Sequence, residues 1–393
     1  MPFEERSIVS HREEFCRLAS AGGANVRELC RRFRISPATG YLWLGRFAAE
    51  GRAGLKNRSR RPLRSPHRTP QEMEARVAAI RLAHPAWGGR KIRRVLEMDG
   101  AAPPAASTIT EILRRHQLMG ESGGSAAAAV GQRFEHAAPN DLWQMDFKGH
   151  FALGQGRCHP LTVLDDHSRY ALELGACADE QTLTVRQRLQ RVFERYGLPR
   201  RILADNGSPW GTSGAGGRHT RLTIWLLDLG VRIVHGRPYH PQTQGKDERF
   251  HRTLKAEVLD GRLFADLAHA QAAFDAWLPV YNTQRPHEAL GLAVPSARYA
   301  MSPRPMPRQV PPPCYEPGAA VRKVHPGGWF QFHGRQFYCS GAFAGLHLAL
   351  RPAGPDGVFH LCYRSHVIGR FDLRNPNTTV QDVPEHPFSL SPV

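Results

Sequence analysis

The feature that most constrains the fold is a run of strand-like segments that begins near residue 140. Residues 141–151, DLWQMDFKGHF, alternate apolar and polar side chains, as a half-buried strand does. Two more strand-like segments follow, and then a helix, a short buried strand, a second helix, a fifth strand and closing helices. This order predicts a mixed α/β sheet with helices on both faces.

Two helical segments precede the predicted sheet. Within residues 11–50 the apolar residues recur at helical spacing, and Ser36 followed by Pro37 is a typical helix start. A tight turn before Ser36 predicts a helix-turn-helix, although a three-helix scaffold that reads no DNA fits these residues equally well. Residues 70–120 predict a second, similar unit of three helices. The expected DNA-facing residues of the first unit are Ser36, Thr39 and Arg46.

The charge of the chain indicates a polyanionic partner. The sequence has 53 Lys and Arg against 35 Asp and Glu, a formal net charge of +18, and its pI is about 10.2. Nucleic acid binding explains this excess most simply, with an ordinary solvated basic surface as the alternative. Residues 52–68 contain seven Lys or Arg and no acid, which favours phosphate contacts. The expected contacts in this segment are Arg58, Arg60 and Arg61.

The cysteines and the apolar runs indicate the compartment. Seven scattered cysteines include no C-x-x-C pair, so the sequence predicts neither a disulfide framework nor a cysteine zinc site. No stretch approaches the roughly 18 apolar residues of a membrane span, and the first residues do not resemble a signal peptide. We therefore expect a protein of the reducing cytoplasm that does not contact a membrane.

Shifts in composition divide the chain into domains. Six prolines within residues 303–313 predict a semi-rigid spacer, and the alternating pattern beyond it predicts a small β-barrel-like domain that binds either DNA or protein. The predicted divisions are a helix-turn-helix domain at 1–55, a basic linker at 56–69, a second helix-turn-helix-like domain at 70–120, a flexible linker at 121–137, a catalytic core at 138–300, a Pro-rich linker at 301–314, the β domain at 315–375 and a tail at 376–393.

Three acidic residues are placed where a mixed sheet can bring them together. Asp146 lies on the polar face of the first strand, Asp205 ends a second strand, and Glu248 opens the helix after the fifth strand. Three carboxylates without a His or Cys partner suit a hard cation, Mg²⁺ or Mn²⁺. Two such ions can activate an attacking oxygen and stabilise a leaving oxygen at a phosphodiester. The sequence therefore predicts a metal site at one edge of the sheet.

The helix that begins near residue 245 combines this acid with cations. On a helical wheel Arg252 and Lys255 share the face of Glu248, and we expect both to bind DNA. Lys246 is a further expected DNA contact. Asp247 lies about 100° from that face and is interpreted as a first-turn acid stabilised by the helix dipole, with a role as the metal ligand in place of Glu248 left open.

Five ordered motifs resemble the DDE transposases of bacterial insertion sequences, which are relatives of retroviral integrases. Asp146 and Asp205 lie within two of the motifs, and Glu248 lies within a third. The motifs are WQMDF at 143–147, LDDHSRY at 164–170, ADNGSPW at 204–210, HPQTQGKDERFHRTLK at 240–255 and YNTQRPHEALGLAVPSARY at 281–299. The resemblance is strongest over residues 138–300, and the zinc module at the N-terminus of retroviral integrases is absent.

The resemblance implies a multidomain α/β protein with helix-turn-helix units, a ribonuclease H-like catalytic core and a small C-terminal β domain. Asp146, Asp205 and Glu248 would be the catalytic, metal-binding triad. The implied activity is binding to the terminal inverted repeats of the element, phosphodiester cleavage by metal-activated water, and joining of the 3′-OH ends to double-stranded target DNA. A dimer or higher multimer would assemble on DNA. A catalytically decayed, DNA-binding descendant and a ribonuclease H-type nuclease are the alternatives.

Other candidate residues have simpler explanations. Asp165 and Asp166 could bind metal, but we expect them to order the edge of the sheet. His240 and His287 could act on a phosphate or a proton, and loop packing is the preferred interpretation for each. Asn282, Arg285 and His287 are expected to brace the site from behind.

Overall fold

The computed structural model describes residues 7–58, 68–119, 135–211, 219–235, 245–354, 356–381 and 383. The chain divides into two compact units, Met1–Arg68 and Thr69–Val393. Within the described ranges, no helix is long and apolar enough to cross a membrane.

The first unit is a bundle of three short helices around a small apolar core. Ser36 caps the third helix as predicted, because its side chain accepts a hydrogen bond from the Thr39 backbone N–H. The helices are α1 (Ile8–Ala19), α2 (Val26–Arg32) and α3 (Pro37–Glu50). The buried residues of the core are Phe15, Cys16, Cys30 and Leu55.

The second unit begins with three more helices, which enclose their own core. These helices are α4 (Gln71–Ala83), α5 (Gly89–Met98) and α6 (Ala106–Arg115). Trp87, in the loop between α4 and α5, is buried with Ile92 and Leu96 of α5. Val280 from the catalytic part of the chain packs against the same core, so this helical unit and the sheet that follows are one packed body.

A mixed sheet forms the centre of the second unit. Its strands are β1 (Leu142–Phe147), β2 (Phe151–Ala152), β3 (Arg157–Asp165), β4 (Ala171–Cys177), β5 (Arg201–Ala204) and β6 (Arg232–His235). The neighbours run β3–β1–β5–β6, with β2 and β4 both paired to β3. The β1–β5 and β5–β6 pairs are parallel, and the β1–β3 and β3–β4 pairs are antiparallel. The mixed α/β sheet predicted from the sequence is confirmed.

Helices cover both faces of this sheet. They are α7 (Thr182–Tyr196), α8 (Arg221–Asp228), α9 (Gly245–Leu254), which continues as a π-helical turn (Lys255–Leu259), and α10 (Leu267–Thr283). Residues of α7 and α8 bury one face against Trp143 and Met145. Residues of α9 and α10 bury the other face against Leu164 and Leu174. Because both faces are covered, Gln144 on the expected polar face is buried.

The C-terminal domain consists of two small sheets over one apolar core. Strands β7 (Ala320–Lys323), β10 (His347–Pro352), β11 (Val358–Tyr363) and β12 (His366–Asp372) form one sheet, and β8 (Trp329–Phe332) and β9 (Arg335–Tyr338) form a hairpin. Among the described strands the two sheets are not joined into a closed ring, which differs from the predicted barrel. The predicted tail also begins too early, because Val380 is buried in this core and Gln381 pairs with Arg370.

The Pro-rich segment is attached to the catalytic core at its start, in contrast to the predicted free spacer. Ser302 donates to the carbonyl oxygen of Leu198 at 2.7 Å. The Arg304 guanidinium donates to the carbonyl oxygens of Pro199, Leu229 and Gly230 at 2.8–3.2 Å. The prolines keep this stretch extended, and the side chains of Ser302 and Arg304 donate hydrogen bonds to backbone carbonyl oxygens of the core.

Beyond the Pro-rich segment, the β domain also packs directly on the catalytic core. Asp228 at the end of α8 accepts hydrogen bonds from Tyr363 (2.6 Å) and Arg364 (2.7 Å). Ile224 and Leu227 of α8 join the apolar core of the β domain. The sheet, the Pro-rich segment and the β domain are therefore held together by both polar and apolar contacts.

Replacing Arg304 by Ala tests this attachment. We expect the free energy of unfolding to fall by about 1–3 kcal/mol, because three carbonyl oxygens lose their donor. Urea denaturation measures the change, and the exposed Arg308→Ala, four residues further on, is the control. Equal stability of the two variants would contradict the contribution assigned to Arg304.

Candidate active site

Asp146 and Asp205 lie side by side at the ends of two parallel strands. In the β1–β5 register Gln144 is opposite Leu203, and the chains continue by two residues to Asp146 and to Asp205, whose charge acts on Asp146. Parallel neighbours end at the same edge of a sheet, so both carboxylates are presented there. The Gly207 N–H donates to the Asp205 carboxylate at 3.1 Å, and a side chain at Gly207 would crowd that carboxylate.

The carboxylates at this edge of the sheet repel one another, and the repulsion raises the pKa of individual acids. Burial, the Asp205 carboxylate and the more weakly acting Glu180 and Glu248 raise the pKa of Asp146 to about 7. Burial and Glu180 also raise the pKa of Asp205. Asp205 and Glu248 thus both act electrostatically on Asp146, and Glu180 is a further acid near Asp146 that the sequence analysis did not select. Its loop position between β4 and α7 carries no motif signal.

The Glu248 side chain is exposed in the first turn of α9, and polar contacts fix that turn to the sheet. The Lys246 ammonium binds the buried Asp166 carboxylate and donates to the Asp166 carbonyl oxygen at 3.1 Å. Burial lowers the pKa of Lys246 to about 8, although Asp166 opposes the shift. Since its charge is directed at Asp166, the structure does not support the expected DNA contact of Lys246, whose side chain holds α9 instead.

A second contact fixes α9 one turn further along. The Thr162 hydroxyl, opposite Asp146 in the β1–β3 register, donates to the Asp146 carbonyl oxygen at 3.0 Å and lies 2.9 Å from Nε2 of His251. Burial and the nearby Lys148 lower the pKa of His251 to about 4, so the ring is neutral near pH 7. Glu248 is therefore held between two anchored residues of one helix.

Asp247 does not behave as the predicted solvated first-turn acid. Its side chain is fully buried, and neither carboxylate oxygen accepts a hydrogen bond from any described residue. Burial, followed by repulsion from Asp146 and Asp166, raises the pKa of Asp247 well above its usual value. A signal was present in the sequence, because on the helical wheel Asp247 falls at roughly 260°, close to Leu254 on the apolar face. Phe250 and Leu254 are buried as expected.

The remaining expected DNA-binding residues lie in different surroundings. Arg252 is exposed on α9 and Lys255 on the π-helical turn that follows; burial, and then the nearby Lys255, lower the pKa of Lys148. Lys148 is thus a cation beside the site that the sequence analysis did not select. It follows Asp146 by two residues on the same strand face, a signal that could have identified it.

The expected contacts in the first unit are partly engaged within it. The Ser36 and Thr39 hydroxyls bind each other at 2.8 Å at the start of α3. Arg46 stacks on Trp43 with 5.0 Å between its guanidinium carbon and the ring centroid, and Arg58 pairs with Glu50. Arg60 and Arg61 lie outside the described residues.

The acids of the LDDHSRY motif order the sheet edge, as the sequence analysis preferred. Asp165 accepts hydrogen bonds from Asn140 (2.7 Å) and Ser168 (2.6–2.8 Å). Asp166 is buried, which alone would raise its pKa, but hydrogen bonds from His136 and the charge of Lys246 hold that pKa below its ordinary value. Both carboxylates are thus occupied by protein donors.

Residues of the fifth motif brace the site from behind, as expected. Asn282 exchanges two hydrogen bonds with the backbone of Ala171 on β4, at 2.8 and 2.9 Å. His287 is buried, and its ring packs edge-on against Tyr281. Arg285 contacts Glu257 and Thr253 beneath α9. His240 lies outside the described part of the chain.

The donor set at this edge suits a hard divalent cation. Asp146 and Asp205 provide carboxylate oxygens whose mutual repulsion a cation would relieve. Across the described ranges, no three His, Cys, Asp or Glu side chains are close enough to hold a metal ion by themselves. The chemistry of the residues fits Mg²⁺ or Mn²⁺, and the pair Asp146 and Asp205 is the part already in position.

Family comparisons agree with this architecture. Residues 136–241 and 229–295 match models described as the integrase core domain. Residues 11–62 match a helix-turn-helix domain and residues 39–113 a homeodomain-like domain. Residues 319–379 match the C-terminal domain of IS481 family transposases.

Similar proteins occur in bacteria and in retroviruses. The 31.7 kDa protein of insertion element IS407 from Burkholderia multivorans is 27% identical over 237 residues, which are 59% of this chain and 82% of that protein. The 39.2 kDa protein of IS476 from Xanthomonas euvesicatoria is 27% identical over 63% of this chain and 70% of its own length. The Gag-Pol polyprotein of baboon endogenous virus is 28% identical over 46% of this chain and 10% of its own.

Solved integrase structures also resemble the chain, at low TM-scores. The simian T-cell lymphotropic virus intasome has a TM-score of 0.38 and 15% identity, over 72% of this chain and 91% of that one. The catalytic core of BIV integrase has a TM-score of 0.30 and 25% identity, over 40% of this chain and 92% of that one.

The core domain matches and the bacterial relatives define the class of protein: a polynucleotidyl transferase with an integrase core. The C-terminal match narrows this class. The chain resembles the DDE transposases of insertion sequences, and residues 319–379 match the C-terminal domain of IS481 family transposases. Its activity is DNA transposition, and the fold class and family expected from the sequence are confirmed.

Two neighbouring acids on α9 can be separated by isosteric substitution. Glu248→Gln removes the exposed carboxylate, and we expect loss of DNA cleavage because that side chain faces the acidic edge. Asp247→Asn keeps the shape of a protonated acid in the buried position, so we expect cleavage to remain. Cleavage of a labelled element end by each variant measures this. Loss of cleavage in Asp247→Asn with retention in Glu248→Gln would transfer the ligand role to Asp247.

The same substitution at Asp247 predicts a pH-dependent gain in stability without metal. The folded pKa of Asp247 lies above its unfolded value, so the wild-type protein loses stability as pH rises from about 4. Asp247→Asn lacks this loss, and in EDTA its melting temperature should exceed that of the wild type by more at pH 8 than at pH 5. A gain that does not grow with pH would show that Asp247 is not buried as an acid.

Proposed function

We propose that this transposase cuts the ends of its own element and joins their 3′-OH groups to double-stranded target DNA, using Asp146, Asp205 and Glu248 as catalytic acids. It would act in the bacterial cytoplasm, associated with the nucleoid. The observation that carries this proposal is the pairing of Asp146 and Asp205 at the ends of parallel strands, next to the anchored helix of Glu248.

Asp146, Asp205 and Glu248 would hold Mg²⁺ or Mn²⁺, as two ions per site. Bound there, the cations would supply charge stabilisation and an activated oxygen for attack on a phosphodiester. Asp146 on β1 and Asp205 directly after β5 would set the position of the site, and the neutral His251 and the Lys246–Asp166 pair would keep the third acid in place.

The DNA would lie along the cations beside this edge. Lys148 and Lys255 lie near each other, Arg252 is exposed on the helix of Glu248, and their positive charge suits phosphates. The helix-turn-helix domain of residues 11–62 would read the terminal inverted repeats, with Ser36, Thr39 and Arg46 at the start and on the face of its third helix. Arg58, Arg60 and Arg61 would add phosphate contacts.

The assembly would contain more than one copy of the chain. Two element ends must be cut and joined together, and each catalytic core has one pair of Asp146 and Asp205, so a dimer or higher multimer on DNA follows from the reaction. The C-terminal domain rests on α8 through Asp228 and would move with the core, which suits contact with DNA or with a second copy.

The test uses a labelled fragment that carries the flanking element end, with Mg²⁺ or Mn²⁺ and then with EDTA. We expect metal-dependent nicking and joined products from the wild-type chain. Asp146→Asn should abolish both and leave end binding unchanged, since the charge that binds metal is lost while the cations remain. Asp141→Asn, the same change near the other end of β1, is the matched control and should cut normally.

The alternatives give different products in the same assay. Nicking without joined products would favour a ribonuclease H-type nuclease. End binding without cleavage in either metal would favour a decayed transposase that binds DNA. Joining by Asp146→Asn at the wild-type rate would show that the catalytic assignment is wrong.

A further inference from the structure

Glu257 is a buried carboxylate that joins three parts of the second unit. It lies in the π-helical turn that continues α9, nine residues after Glu248, and its side chain is only 3% exposed. Three donors reach its two oxygens: Trp87 Nε1 at 3.1 Å, Trp277 Nε1 at 2.8 Å and Arg285 Nε at 3.1 Å. A carboxylate so fully bonded is strongly oriented, because each donor has a single direction.

The Trp87 contact crosses from the helical unit of α4–α6 to the catalytic core. Its indole is 1% exposed, belongs to the core of that helical unit, and stacks on His84 with ring centroids 3.8 Å apart. Arg81 fixes the same loop by donating to the Trp87 carbonyl oxygen at 2.8 Å. The ring therefore cannot follow Glu257 without moving the whole helical unit.

Two weaker contacts support the same junction. Val280 of α10 packs against the apolar core of the helical unit. Lys91 at the start of α5 lies 3.7 Å from the carboxylate of Glu288, which follows α10. The junction thus combines one buried carboxylate, one apolar contact and one partly exposed ion pair, and Glu257 is the member with the most complete hydrogen bonding.

The helical unit that is held in this way has a basic surface suited to a phosphate backbone. Helix α5 contains four cations and a single acid in ten residues, GRKIRRVLEM. Arg90 is exposed at its N-terminal end, where helix N–H groups also favour phosphates, while Lys91 pairs with Glu288 and Arg93 and Arg94 share the single acid Glu97. DNA that binds this surface is consequently held at a constant distance from Glu248, because both belong to one packed body.

We propose that Glu257 is a positioning residue that sets where the DNA is cut, by fixing the α4–α6 unit on the helix that carries Glu248. The inference rests on the proposed function, since it concerns the position of the cut that this function makes. Glu257 touches neither substrate nor metal. Its effect is the constant spacing between the DNA held by α5 and the acidic edge of the sheet.

The experiment maps nicks in a labelled element end at single-nucleotide resolution for the full-length chain and three variants. Glu257→Gln keeps the shape but places an amide opposite three donors. Trp87→Phe keeps an aromatic ring in the helical unit, removes its hydrogen bond to Glu257 and leaves a small cavity, the same reduction in ring size as in the control below. Trp277→Phe is the matched control, because it removes a donor that lies within the catalytic core and leaves the Trp87 bond intact.

We expect Glu257→Gln to bind the end with wild-type affinity and to lose the single cut position, with nicks spread over neighbouring phosphates. In Trp87→Phe, the ratio of nicking at the wild-type phosphate to nicking at the neighbouring phosphates should fall by about 2- to 10-fold, the effect of one lost hydrogen bond. Trp277→Phe should cut where the wild type cuts. Trp87→Phe carries the test if Glu257→Gln does not fold.

The outcomes separate this inference from the proposed function. A wild-type chain that makes no metal-dependent nick would overturn the proposed function, and the role of Glu257 with it. A wild-type chain that nicks one phosphate, together with Trp87→Phe and Glu257→Gln variants that nick that same phosphate, would overturn the role of Glu257 alone. Equal spreading in Trp87→Phe and Trp277→Phe would overturn it as well, because the helical unit would then have no special part.

Discussion

The anchoring of α9 is the constraint on which the rest of the catalytic unit depends. A helix of ten residues is not stable by itself in water and takes its place from tertiary contacts. Phe250 and Leu254 bury one side of it, but apolar contact alone would tolerate a small rotation or slide. The Lys246–Asp166 pair, the Thr162–His251 contact and the bonds of Glu257 remove that freedom, since hydrogen bonds have direction. Lys246 lies before Glu248 in this helical segment, and His251 and Glu257 lie after it. These contacts therefore fix the helix turn that carries the exposed Glu248.

This arrangement concentrates unfavourable electrostatics at one end of the sheet. Asp146 and Asp205 repel each other, and Asp247 is buried without a hydrogen-bond donor among the described residues. The neighbouring Asp165 and Asp166 are equally buried, yet both are bonded to protein donors. Asp165 and Asp166 are thus compensated within the protein, whereas Asp247 is stabilised in its protonated form. The mutual repulsion of Asp146 and Asp205 is what a bound cation would relieve.

The succession of strands and helices along the chain could be predicted from the sequence, because alternation and turn residues are local signals. Ser36 begins α3 as expected, for the same reason. The catalytic role of the three acids stays a prediction. The errors arose where a distant partner decides the outcome. Lys246 is directed at Asp166, 80 residues away, and Arg304 fills carbonyl positions some 75 to 105 residues away. Because no local sequence pattern indicates such contacts, Lys246 was expected to bind DNA and Arg304 was expected to lie in a semi-rigid spacer.

The two helical units then have different relations to the chemistry, although their sequences predict similar folds. The first is a compact unit of its own, connected to the rest by the basic residues 59–67. The second shares a packed body with the catalytic helix through Trp87 and Glu257. Only a unit at a fixed distance from Glu248 can determine, by where it binds DNA, which phosphate is cut. The buried carboxylate of Glu257 therefore matters more to the position of the cut than the larger positive charge on the surface of the chain.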